Sequence, residues 1–118
     1  MRVLIVDDSK TARIVCKKAL PAGLTADLVE ASGGREALEI CRSQKIDLMF
    51  LDLTMPEVDG YTVLEQLQAD ATRPEVVIMS ADVQTKAQER VKALGAAAFI
   101  GKPATLAAVA AVLKELGH

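Results

Sequence analysis

Aromatic side chains are scarce in this chain, making up only 3% of its 118 residues. No aromatic platform is therefore at hand for stacking nucleic-acid bases. An excess of either charge is also missing: the formal net charge is −2, and nothing steers the chain toward nucleic acid or an anionic membrane. The single histidine is His118, at the C-terminus. It is expected to be solvated, which argues against histidine-based catalysis and a zinc site. The two cysteines form no Cys-x-x-Cys. They read as buried, unpaired thiols, Cys16 beside Ala12, Val15 and Ala19, and Cys41 beside Ala37 and Leu38. Gly-x-x-x-x-Gly-Lys-Ser/Thr is absent, which excludes a P-loop nucleotidase. The N-terminal apolar run breaks at once on Asp7-Asp8, so it serves neither as a signal peptide nor as a membrane span. A cytoplasmic location is the default expectation.

Apolar residues are plentiful, at 51%, which rules against intrinsic disorder. The length suits one domain spanning residues 1–118, with enough chain to bury an independent core. Four apolar runs each end in a polar residue. Val3-Leu4-Ile5-Val6 leads into Asp7-Asp8, and Leu48-Met49-Phe50-Leu51 into Asp52. Val76-Val77-Ile78-Met79 leads into Ser80, and Ala98-Phe99-Ile100-Gly101 into Lys102-Pro103. Unalternating runs of this length read as strands buried on both faces of a parallel sheet.

Between the runs the pattern is helical. The expected order is a strand over 2–6, a helix from the N-cap Ser9 to about Leu20, an edge-like strand over 26–31 and a helix over 35–43. A strand over 46–51, a turn-rich loop over 54–60 and a helix over 61–69 follow. A loop over 70–74, a strand over 75–79, a helix over 83–94 closed by Gly95, and a strand over 96–100 come next. The last helix covers 105–116, with Leu106, Val109, Leu113 and Leu116 on one stripe. The inward set of the second strand is either Ala26, Leu28 and Glu30 or its complement. Lys17-Lys18 reads as a solvated helix face. The alternation predicts a doubly wound α/β fold with five parallel strands and helices on both faces. The common five-stranded order is 2-1-3-4-5.

In such a sheet the strand C-termini share one edge, and ligands bind in the crevice there. Asp7, Asp8, Asp52, Ser80 and Lys102 should gather at that edge. Grouped carboxylates repel one another unless a cation is present. Magnesium, an oxygen-seeking ion that takes one or two carboxylates plus water and phosphate oxygens, suits Asp8 and Asp52 directly and Asp7 through water. Asp52 is then the candidate nucleophile for a phosphoryl group, with Ser80 and Lys102 to hold the phosphoryl oxygens.

These residues resemble the receiver domain of bacterial two-component response regulators. The similarity covers the whole chain and rests on Val3 to Ser9, Asp52-Leu53-Thr54-Met55-Pro56 with Asp59-Gly60, Ser80-Ala81, and Gly95-Ala96 through Phe99 to Lys102-Pro103. The resemblance implies the flavodoxin-like strand order. It implies that Asp52 takes phosphate from a phosphohistidine of a sensor histidine kinase or phosphotransfer protein. Asp7, Asp8, Asp52 and the Thr54 backbone carbonyl would serve magnesium, and Lys102 would contact the phosphoryl group. Such a domain catalyses only its own phosphorylation and dephosphorylation. The resemblance gives Ser80 and Phe99 the places of switch residues, although simple core packing explains Phe99 equally well. The helix over 83–94, the fifth strand and the last helix form the expected signalling face, for an output protein that the sequence does not identify.

The chain departs from the family at Ala104, where a bulky apolar residue is frequent. It departs again in the last helix, whose Ala107, Ala108, Ala110 and Ala111 replace the charged residues that transcription-factor receivers use to pair. An alanine-rich face could receive a partner helix or pack closely on the sheet, and close packing is the expectation. The chain ends where a receiver ends, so a stand-alone regulator is expected. A fragment of a larger regulator or hybrid kinase, and a receiver-like module that never uses phosphate, are the alternatives. An enzyme on the same fold fits less well. A flavin carrier would want a Gly/Ser/Thr-rich loop in place of Asp7-Asp8, and a haloacid-dehalogenase-type phosphatase would want an aspartate in place of Thr54.

Overall fold

The apolar runs become strands and the amphipathic stretches become helices in a computed structural model that describes residues 1–24, 27–70 and 73–118. The order is β1 (Arg2–Val6), α1 (Lys10–Ala19), β2 (Asp27–Ala31), α2 (Gly34–Ser43), β3 (Leu48–Asp52) and α3 (Gly60–Leu67), then β4 (Glu75–Ser80), α4 (Thr85–Ala93), β5 (Ala98–Gly101) and α5 (Leu106–Glu115). All strand pairings are parallel, in the order β2-β1-β3-β4-β5. This is the expected flavodoxin-like arrangement. Ala26, expected to open the second strand, and Ala71 and Thr72, expected in the loop before the fourth, lie outside the described residues.

The sheet separates two cores. On one face Val3, Ile5, Leu48, Phe50, Val77, Met79 and Ile100 meet α1 and α5 through Cys16, Ala19, Val109 and Leu113. On the other, Leu4, Val6, Met49, Leu51, Val76 and Ile78 meet α2, α3 and α4 through Ala37, Leu38, Val63, Leu64, Leu67 and Val91. Central strands wanted apolar residues at every position because both faces are covered. The β2 edge strand resolves to the second register. Val29 and Ala31 pack inward beside α2, while Leu28 stays exposed.

Local signals set the helix ends. Ser9 accepts the Ala12 amide at 3.2 Å, Asp59 the Thr62 amide at 2.9 Å and Thr105 the Ala108 amide at 3.2 Å. Each satisfies a donor that the first turn leaves open. Gly95 adopts φ 99°, and its amide and that of Ala96 bond back to Lys92 and Val91. This Schellman closure needs the left-handed region that glycine tolerates.

Several expectations fail for physical reasons. Leu106, the first residue of α5, is 55% exposed; the buried stripe is Val109 and Leu113. Of the α5 alanines only Ala108 packs against the sheet, and the other three are exposed. Val15 is exposed rather than core-facing. Lys17 is not merely solvated, since it pairs with Glu30 at 2.5 Å. His118 is exposed, as expected, and also places Nε2 2.7 Å from Glu75 Oε1, which ties the residues after α5 to the start of β4. Cys16 is buried and Cys41 half-buried, both unpaired. Burial pushes their thiols up to about 12 and about 11, far from the reactive thiolate form at neutral pH. No helix among the described residues is long and apolar enough to cross a membrane.

Candidate functional site

Three polar side chains are buried among the described residues: Asp7 at 1%, Asp52 at 3% and Ser80 at 2% exposure. All three sit at the C-terminal ends of the adjacent strands β1, β3 and β4. Ordinary folding would place apolar groups there, because a buried carboxylate costs several kcal/mol unless it is partnered. The partner is Lys102, just past β5. Its Nζ lies 2.6 Å from Asp7 Oδ2 and 3.2 Å from Asp52 Oδ1. The third acid, Asp8, is exposed, and one carboxylate oxygen from each of Asp7, Asp8 and Asp52 lies within 4.8 Å of the others.

The electrostatics follow from this crowding. Burial pushes the Asp52 carboxyl above its usual range, and the neighbouring Asp7 charge adds to the rise; Lys102 and the Thr54 amide only partly oppose it. Burial by itself would lower the Lys102 ammonium, but its hydrogen bond to Asp7 and the charges of Asp52 and Asp7 outweigh that and hold it above the ordinary lysine value. Hard carboxylate oxygens at this spacing suit a small divalent cation such as magnesium, which would relieve the repulsion that the lone ammonium leaves.

Asp7 is held at four atoms. Its amide donates to Ala31 O at 3.1 Å. Oδ1 accepts the Ser9 amide at 2.9 Å and Oδ2 accepts Lys102 Nζ at 2.6 Å. Its carbonyl accepts Arg13 Nη1 at 2.6 Å. Arg13 carries no signal in the apolar pattern. Its position does: helical side chains lean toward the N-terminus, so a residue four past the Ser9 cap reaches back over the end of β1.

Ser80 stands on the strand beside Asp52, one residue beyond its Met79 register partner. Its hydroxyl oxygen accepts the Asp82 amide at 3.0 Å, which leaves the hydroxyl proton available for donation. The Lys102 amide donates to Ser80 O at 2.9 Å, joining β4 and β5 at the rim. Thr54 is exposed two residues beyond Asp52. Phe99 is half-buried, away from this cluster, packed against the core beneath α4. Lys102-Pro103 is a cis peptide.

Gly60 is a further site-shaping residue. A Cβ there would lie 2.6 Å from Asp52 O and 2.8 Å from Leu53 Cα. Backbone atoms cannot yield as a side-chain tip can. Gly60→Ala is therefore expected to lower stability by about 2 kcal/mol, within the usual range for overpacking, as read from urea unfolding. A midpoint equal to that of the parent would contradict the close approach.

The sequence profile described as "Response regulator receiver domain" matches residues 3–114. A curated relative, the chemotaxis protein CheY of Thermotoga maritima, is 35% identical over 86% of this chain and 85% of its own length. A protein-glutamate methylesterase/protein-glutamine glutaminase of Archaeoglobus fulgidus is 37% identical over 98% of this chain but only 34% of its own length. The chain thus spans about a third of the first such relatives. Among solved structures, the signal receiver domain of the putative response regulator NarL from Mycobacterium tuberculosis superposes with a TM-score of 0.86 at 30% identity, covering 99% of this chain and 97% of that one. The buried acids at the strand ends, the lysine that bridges them and the extent of these matches lead to one conclusion: this chain belongs to the response regulator receiver domain family, whose members are phosphorylation-switched signalling domains.

Proposed function

We propose that residues 1–118 form a receiver that takes a phosphoryl group onto Asp52 from a phosphohistidine of a sensor histidine kinase or phosphotransfer protein. The observation that carries this is the buried Asp52 carboxylate, 3.2 Å from Lys102 Nζ and within 4.8 Å of two further carboxylates. An Asp52 oxygen attacks phosphorus as the P–N bond breaks, and the imidazole departs with the bonding pair. Lys102 and the Ser80 hydroxyl receive the phosphoryl oxygens. Asp7, Asp8, Asp52 and the Thr54 carbonyl would hold magnesium, which when bound neutralises charge on the transferring group.

Two surfaces support a donor and an output partner. Exposed Val15 on α1 edges an apolar groove of about 240 Å³ lined also by Ala12, Met79, Lys102, Pro103 and Ala104. This groove borders the site, where a phosphodonor protein must sit. On the other side a cleft of about 380 Å³ between α4 and β5 is lined by Thr85, Val91, Lys92, Ala97 and Phe99, among others. Phosphorylation adds charge and acceptor oxygens beside Ser80. Movement of Ser80 toward them, with a changed Phe99 rotamer, would alter this cleft for an output protein that binds through α4, β5 and α5.

Incubation with a small phosphodonor and magnesium, followed by mass spectrometry of the intact protein, tests the reading. A gain of one phosphoryl group that requires magnesium is the expected result. A chain that stays unmodified, or a label that survives Asp52→Ala, would sink it.

A further inference from the structure

We propose that Arg13 is a positioning residue for the cation site, acting by holding the peptide that joins Asp7 to Asp8; this rests on the magnesium-dependent reading of the site. The Arg13 guanidinium spans two elements. Nη1 donates to the Asp7 carbonyl at 2.6 Å, and Nε pairs with Glu30 of β2 at 3.0 Å. Glu30 is also held by Lys17. The hydrogen bonds from Lys17 and from Arg13 Nε keep its carboxyl below the usual range, so it stays ionised as an anchor.

The grip matters because the two acids are held differently. The Asp7 carboxylate is locked by Ser9 and Lys102. Among the described residues, no hydrogen bond or ion pair holds the exposed Asp8 carboxylate. The point from which it reaches the cation, its Cα–Cβ bond, is placed by the backbone through the Asp7–Asp8 peptide, whose oxygen Arg13 grips. A charge-assisted bond from a planar fork, fixed at its other prong, restrains that peptide plane more tightly than a single flexible ammonium does. Ligands held near their bound geometry lose less freedom on binding.

Arg13→Lys tests this while conserving charge, because a lysine reaches the carbonyl or Glu30 but does not fork between them. Magnesium affinity is measured by calorimetric titration, alongside melting in EDTA and phosphoryl uptake from a small donor as magnesium is raised. A three- to tenfold weaker magnesium affinity is expected, with phosphoryl uptake returning to the parental rate at saturating magnesium and melting in EDTA little changed. Glu30→Gln, which loosens the same fork from β2, should weaken magnesium in the same direction by a smaller factor. Parental affinity in Arg13→Lys overturns the proposal, as does a loss of uptake that saturating magnesium does not restore. Failure of the parent itself to bind magnesium would instead overturn the reading of the site.

Discussion

Asp52→Asn should abolish phosphoryl uptake and at the same time make the metal-free domain more stable than its parent. The first effect follows because an amide does not form the acyl phosphate. The second follows from the crowding at the strand ends. Burial and the Asp7 charge raise the Asp52 carboxyl above its unfolded value, so the folded state disfavours the ionised form. Between the unfolded and the raised folded pKa, the folded chain binds the extra proton. Stability of the parent therefore falls as pH rises through that window and is regained on acidification. Asparagine removes the charge at nearly constant shape and should flatten this slope. The expected gain at neutral pH in EDTA is a Tm rise on the order of 5 °C, the response of a domain this size to about 1 kcal/mol. Melts of both proteins from acid to neutral pH provide the check. A variant less stable than the parent at neutral pH would show that the carboxylate is better accommodated than its surroundings imply.

Lys102→Met should have the opposite sign and a larger size. Lys102 is the one cation that contacts both Asp7 and Asp52 among the described residues. Its removal leaves two buried carboxylates facing each other. Breaking a buried charge pair from one side costs roughly 3 kcal/mol or more, and the methionine stem replaces only the packing. At neutral pH in EDTA the urea midpoint should drop accordingly. Magnesium should recover much of the loss, because it supplies the missing positive charge. Acidification should also recover part, through protonation of Asp52. A midpoint indifferent to both magnesium and pH would mean that the acids do not feel each other.

The strands were legible because each central one is apolar at every position, and the edge character of β2 showed in its mixed composition. The site was legible for a related reason. A polar residue that ends a fully buried run stands out, and Asp7, Asp52 and Ser80 prove to be the buried polar side chains at the sheet edge. Placement relative to other elements was not legible. Leu106 fits the α5 stripe by spacing, yet where the helix begins against the sheet decides its exposure. The bonds of Arg13 to a backbone carbonyl and of Lys17 and His118 to carboxylates on other elements depend on long-range approach, which periodicity does not encode. Gly60 reads as a turn former, whereas the reason for glycine there is the nearness of the Asp52 carbonyl.

The division of the interior into two cores has a consequence for how news travels. Asp52 continues the face of Leu48 and Phe50, over α1 and α5, whereas Ser80 continues that of Val76 and Ile78, over α4, and Phe99 packs on that same side. The sheet thus stands between Asp52 and the α4 part of the surface that would report it, whereas α5 lies on the same face as Asp52. A signal from Asp52 to α4 and Phe99 would pass around the strand tips, along the short rim where the Lys102 amide meets Ser80 O and the Asp82 amide meets Ser80 Oγ.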